Sequence, residues 1–275
     1  MGGTKTLVGI IGGSGVYQVE GLAHARWQRV GVTDVLSVSA VGSLKEHLVP
    51  GTFVVVDQFI DRTVGRERSF LGAGLVGHVS MAHPVCGRLG DAVMGAAAAA
   101  GVKAERGGTY VVIEGPQFST QAESHLFRSW GASVVGMTNL PEARLAREAE
   151  LCYATVAMVT DFDCWHPDHG AVTVDEVVRV LKANAGALVR AVVPRLGARP
   201  DACPHGCDRA LEHAVMTAPA GRDPAVVARL DALGRGPRHL RHGGARGPAH
   251  RCHRGLRRGA GPEGGPVRRG ARLCV

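Results

Sequence analysis

Apolar positions along the chain fall into short, nearly unbroken runs, separated by stretches in which they recur every three or four residues. The runs are TLVGIIGG (6–13), DVLSVSAVG (34–42), GTFVVVDQFI (51–60), GTYVVIEGP (108–116), SVVGMT (133–138) and YATVAMVTDFD (153–163). Continuous hydrophobicity rich in Val and Ile, without alternation, predicts strands covered on both faces. The intervening LGDAVMGAAAAAGVKA (89–104), LPEARLAREAEL (140–151) and VDEVVRVLKANAGALVRAVVPRL (174–196) predict amphipathic helices. In the last of these, Asp175 and Glu176 open the helix and Gly197 follows its end. CDRALEHAVMTAP and RDPAVVARLDALG also read as helical. The expected fold is α/β: a single domain with a central mixed, mainly parallel β-sheet flanked by helices. No internal repeat interrupts it.

The pattern changes abruptly near Arg235. Residues 1–234 form the expected catalytic domain, and 235–275 form an Arg/Gly-rich tail with almost no large apolar residue, too little to offset its ordering entropy. Charge partitions the same way. From Arg235 onward, eleven Arg and one acid (Glu263) give +10, so residues 1–234 carry −2 of the chain's net +8. The basic charge therefore belongs to the tail and not to the domain. Without interleaved aromatics the tail lacks the stacking platforms of a single-strand binder, and no nucleic-acid partner is expected. Its Arg, Gly, Pro, Ala and His composition is what an out-of-frame GC-rich reading frame tends to give.

No apolar stretch approaches the length of a membrane span, and the N-terminal run breaks at Gly12-Gly13 without a cleavage site. Seven cysteines, an odd and scattered set, point to reduced thiols and a cytoplasmic location. Cys203-Pro-His-Gly-Cys207 is the one cysteine cluster, and with His205 or His213 it is a candidate zinc ligand pair. Its second pair is incomplete, so no metal site is expected.

Chemistry-bearing residues gather at the predicted strand ends, where open α/β sheets bind ligands. Ser14, in Gly12-Gly13-Ser14-Gly15, and Ser39-Ala40, in SAVGS, offer hydroxyls and backbone N–H groups to an anion. Met137 and Thr138 end another strand, and Phe118 and Ser119 follow Gly115-Pro116. In TDFDCW, Asp161 and Asp163 flank Phe162. Alternation along an extended strand would aim both carboxylates at one spot, and two acids at a buried strand end call for a charge partner or a ligand.

IIGGSGVY, VSAVGSL, PGTFVVVDQFIDRT, YVVIEGPQFSTQAES, WGASVVGMTNLPEARLAREAELCYATVAMVTDFDCW and AVTVDEV together resemble the S-methyl-5'-thioadenosine phosphorylase branch of the trimeric purine nucleoside phosphorylase family. The resemblance covers most of residues 6–233. It implies phosphorolysis of 5'-methylthioadenosine to adenine and 5-methylthioribose 1-phosphate, with phosphate as co-substrate and no cofactor. It further implies that Ser14, Ser39, Ala40 and Thr138 bind phosphate and that Met137 lies under the ribose. By the same motifs Phe118, Ser119 and Phe162 border the base, and Val174 lines the 5'-methylthio pocket. Asp161 accepts from the 6-amino group and Asp163 delivers a proton to N7. His78 resembles the residue that reaches a neighbouring subunit's site, which implies a homotrimer, with a hexamer as the larger alternative. A 6-oxopurine nucleoside or methylthioinosine phosphorylase is the alternative enzyme.

One departure stands out. Between Gly21 and Trp27 the family carries a further segment, with strands and an Arg-His pair that grips phosphate, whereas here AHAR leads directly into WQRVGV. No residue inherits those two roles. An inactive purine-binding or trimer-forming subunit is therefore the alternative of another class.

Overall fold

The computed structural model describes residues 8–12, 32–168, 193, 196 and 200–231. Ser14, Val174, the junction at 21–27, most of the helix expected over 174–196 and the basic tail all lie outside the described residues.

The strands are β1 (Val8–Gly12), β2 (Asp34–Ser43), β3 (Phe53–Val55), β4 (Gln58–Arg62), β5 (Ala104–Arg106), β6 (Thr109–Ile113), β7 (Val134–Gly136) and β8 (Cys152–Asp161). The helices are α1 (Gly87–Ala99), α2 (Gln121–Ser129), α3 (Glu142–Glu148) and α4 (Pro224–Asp231). One sheet of order β4-β6-β7-β2-β8-β3-β5, with β1 added to β2, contains them all. The pairs β1·β2, β2·β8, β3·β5, β4·β6 and β6·β7 are parallel, while β2·β7 and β3·β8 are antiparallel. The expected mixed, mainly parallel sheet is what forms.

The run read as one strand over 51–60 is two. Residues 53–62 and 104–113 form a long parallel pair that breaks at Val56-Asp57 and Gly107-Gly108. The halves before the break join β8, and those after it join β7 through β6. Since each half continues into the other, the sheet curls back on itself. Gly107 and Gly108 make the bend at φ 91° and 118°, values that favour residues without a Cβ. Asp57 closes it, donating its backbone N–H to Gly108 O and accepting from Gly108 N through its carboxylate.

Alternation now explains the core. Leu36 and Val38 of β2 and Ala154, Val156 and Met158 of β8 pack against Leu89, Val93 and Ala96 of α1. On the opposite face, Val35 and Val41 meet Tyr153, Ala157 and Val159, together with Tyr110, Val112 and α3 residues Ala143 and Ala146. Central strands are thus apolar on both faces because helices or the curled sheet cover both. Helix α2 is unanticipated from apolar periodicity. Its start is set by Thr120 and Glu123, which form a reciprocal capping box. CDRALEHAVMTAP is not an α-helix: it opens with the short 3₁₀ turn Cys207–Arg209 and continues as turns, whereas RDPAVVARLDALG contains α4.

Candidate active site

Near its end, β2 meets the acid turn at Gly42, while further back along the same strand Ser39 meets Tyr110 near the start of β6 and Thr138 just after β7. The reading of Ser39-Ala40 as a strand end is corrected here, because β2 stays paired with β8 through both residues and runs on to Ser43. Ser39 is buried, 2% exposed. Its hydroxyl shares hydrogen bonds with Thr138 Oγ1 at 2.6 Å and Tyr110 Oη at 3.0 Å, and Tyr110 and Thr138 are themselves 3.3 Å apart. Three hydroxyls from three strand regions therefore form one cluster. Gly136 leaves room for it, since a Cβ there would collide with the Tyr110 hydroxyl and stand 3.2 Å from Ala40 O. Tyr110 escapes a reading by motif because an aromatic in a strand is ordinarily core. Burial pushes its phenol up, so it remains a neutral donor.

Behind Thr138 lies a second polar layer. Asn139, fully buried and at φ 67°, sets its Nδ2 2.7–3.0 Å from Ser37 Oγ, Tyr153 Oη and Thr155 Oγ1, which share its two N–H protons. Ser37 and Tyr153 hydroxyls in turn donate to Glu142 Oε2 on α3. Such a connected network fixes the β7–α3 turn, and with it the placement of Met137 and Thr138. Met137 also abuts Gly115, where an added Cβ would lie 2.6 Å from its sulfur.

Asp161 and Asp163 meet by a different route from the strand alternation expected of them. The β2·β8 ladder pairs Val41 with Val159 and then Gly42 with Asp161, so Thr160 is an inserted bulge residue. The chain leaves the strand after Asp161, and Asp163 adopts φ 53°. Asp163 donates its backbone N–H to Asp161 Oδ1 at 2.7 Å, while Asp161 Oδ2 accepts from Thr160 Oγ1 at 2.6 Å. Gly42 makes this turn fit: a Cβ there would stand 2.9 Å from Asp161 Oδ1 and 3.0 Å from Asp163 Cβ. The Asp163 side chain is buried, and burial pushes its carboxyl above the ordinary value, with the Asp161 charge adding to the shift and the Ser124 hydroxyl opposing it.

The other expected site residues divide clearly. Ser119 joins the acid turn, since its carbonyl accepts from Cys164 Sγ and its buried hydroxyl has no partner among the described residues. Phe118 is 47% exposed beside it. The Phe162 ring, by contrast, is buried among Leu44, Val111, Phe127, Val135 and Trp165, so its side chain supports the turn from the core. His78 is exposed, its N–H bonded to Ala214 O in a bridge between Gly77 and Val215.

Comparison with known proteins gives this geometry a family. The profile of the phosphorylase superfamily matches residues 7–194. The S-methyl-5'-thioadenosine phosphorylase of Cereibacter sphaeroides is 49% identical over 282 aligned positions, covering 83% of this chain and 97% of that protein. That of Bradyrhizobium diazoefficiens is 48% identical over 283, covering 84% and 97%. Since 83% of 275 residues is well short of 282 positions, the relative contains residues opposite a gap in this chain. Among solved structures, a methylthioadenosine phosphorylase from an Antarctic soil metagenomic library superposes with a TM-score of 0.73 at 35% identity, covering 84% of this chain and 99% of that one. The Schistosoma mansoni methylthioadenosine phosphorylase in complex with adenine gives 0.66 at 30%, covering 71% and 93%. With the strand-end site, the curled mixed sheet and these matches in agreement, the chain belongs to the phosphorylase superfamily and, within it, to the S-methyl-5'-thioadenosine phosphorylase family.

Proposed function

We propose that the chain catalyses phosphorolysis of S-methyl-5'-thioadenosine to adenine and 5-methylthioribose 1-phosphate. The observation that carries this reading is the buried Asp163 carboxyl, raised in pKa and held in a fixed turn beside a second carboxylate. Cleaving the N-glycosidic bond sends its electron pair to the base, so protonating N7 stabilises the leaving group. Asp163 supplies that proton. Asp161 accepts from Thr160 Oγ1 and from the Asp163 N–H, and as an acceptor-only carboxylate it matches the donor character of a 6-amino group. An acceptor there selects adenine over a 6-oxopurine.

Phosphate forms the new bond to the anomeric carbon. Ser39 and Thr138 offer hydroxyls to it and Ala40 its backbone, and the family motif adds Ser14, which lies outside the described residues. Met137 supplies an apolar floor for the ribose and Phe118 and Ser119 border the base with the Phe162 backbone, while Val174, outside the described residues, is assigned to the methylthio group by the family motif alone. In a cytoplasmic homotrimer, exposed His78 would reach the adjacent subunit's site, and light scattering on the purified chain measures that assembly directly.

The alignment gap supports a second reading, a purine-binding subunit that does not turn over. Losing charge-assisted phosphate contacts costs on the order of 1.5–3 kcal/mol each, felt first as a raised phosphate KM. Adenine release from methylthioadenosine, measured against phosphate concentration with inosine and methylthioinosine as controls, separates the readings. Phosphate-dependent adenine release is the expected result. Preferential cleavage of inosine would replace the substrate assignment, and purine binding by a folded protein without release would select the second reading.

A further inference from the structure

Four cysteines remote in sequence converge in the core away from the acid turn. Cys86, Cys152, Cys203 and Cys207 are each at most 1% exposed, and their sulfur atoms all lie within 4.8 Å of one another. Cys86 is the residue immediately before α1 and Cys152 the first of β8. Cys203 and Cys207 lie on one tight turn, closed by Gly206 N–H to Cys203 O at 2.9 Å with Gly206 at φ 67°. The Cys86 and Cys203 sulfurs are 3.7 Å apart. A tetrahedral zinc with Zn–S bonds of about 2.3 Å requires S···S edges of about 3.8 Å, so this pair already has the spacing a shared metal imposes.

We propose that Cys86, Cys152, Cys203 and Cys207 form a structural tetrathiolate zinc site. The Cys-x₃-Cys turn supplies one ligand pair, and the ends of two core elements supply the other. Such a centre carries a net charge of −2, and the structure places a cation beside it. The Arg88 guanidinium interacts with Cys152 and pairs with Asp34 at 2.7 Å, while its buried Nε has no hydrogen-bond partner among the described residues. An arginine so placed offsets thiolate charge that an apolar surround would otherwise penalise. With all four positions filled by protein and none open to solvent, the site suits a structural role and not a catalytic one. Metal binding would pin residues 203–207 to α1 and β8. Because the unfolded chain holds these ligands far apart, binding energy becomes folding energy.

The test uses the full chain purified under reducing conditions from zinc-supplemented cells. Elemental analysis is expected to give one zinc per chain, retained in Cys252→Ser/Cys274→Ser and lost in Cys203→Ser/Cys207→Ser. In case the latter variant fails to fold, metal-stripped wild-type chain is titrated with Co²⁺. The expected result is saturation at one equivalent, with the intense visible bands of tetrahedral thiolate coordination and a raised melting midpoint. Absence of both zinc and cobalt thiolate absorption would overturn the proposal. So would zinc retained in folded Cys203→Ser/Cys207→Ser, or peptide mapping that finds these four cysteines joined as disulfides.

Discussion

Asp163, the proposed proton donor to N7, puts the proposed chemistry on one protonation state. Its carboxyl is raised by burial, so its proton is held below that raised value and lost as pH climbs through it. Turnover at saturating substrate is therefore expected to fall on the alkaline side, beginning above the ordinary carboxylate value of 3.8. Stability follows the same sign: the contribution of protonated Asp163 is full below the unfolded value and disappears as pH rises through the folded one. Asp163→Asn keeps the shape but cannot give the proton, and kcat is expected to drop by roughly 10²–10⁴-fold with a nearly unchanged melting midpoint. Equal loss of folding and turnover would make the aspartate structural. Both acids were legible in TDFDCW, because two carboxylates ending an apolar run are costly without a use. Their geometry was not. The period-two argument assumed an extended chain through Asp163, whereas a bulge at Thr160 and a positive φ at Asp163 bring the groups together through a turn.

At the level of elements, the hydroxyl cluster depends on β2, β6 and the turn after β7 meeting, with Ser39 bonded to both of the others and Tyr110 as its fully buried member. Tyr110→Phe keeps the ring's packing and removes only the shared hydroxyl, while Ser39 and Thr138 retain their mutual 2.6 Å bond. The expected stability cost is about 0.5–1.5 kcal/mol, read by denaturant unfolding. Phosphate KM is expected to rise several-fold, with less change in the KM for methylthioadenosine; an unchanged phosphate KM would detach Tyr110 from anion binding. The strands themselves were visible as apolar runs, and β2 and β8 appear nearly where those runs predict. The split of 51–60 was hidden because Val56-Asp57 reads as strand in isolation, and only the partner glycines at 107 and 108 make the bend. Helix α2 carried its signal in Thr120-x-x-Glu123, a cap pattern that needs no apolar stripe.

For the whole molecule, the charge asymmetry makes a separable prediction. Removing residues 235–275 takes away +10 and leaves a domain of net −2. That truncation is expected to leave methylthioadenosine cleavage and thermal unfolding unchanged while lowering salt-sensitive adhesion to polyanions such as RNA. RNA affinity that survives truncation would place the basic interaction elsewhere in the chain. The structure also alters the meaning of the cysteines. Cys203 and Cys207 announced themselves by spacing, whereas Cys86 and Cys152 were single residues in unrelated segments until the fold assembled them.

The sequence by itself determined the α/β class, the positions of the central strands, the family and the presence of two carboxylates at the end of an apolar run, because buried runs, glycine turns and motif blocks are local features of the chain. Tertiary structure alone decided how the sheet curls, that Tyr110 joins Ser39 and Thr138, how the aspartates meet, and that four distant thiols share one pocket. Those outcomes depend on which strands become neighbours in space, and no local periodicity encodes that adjacency.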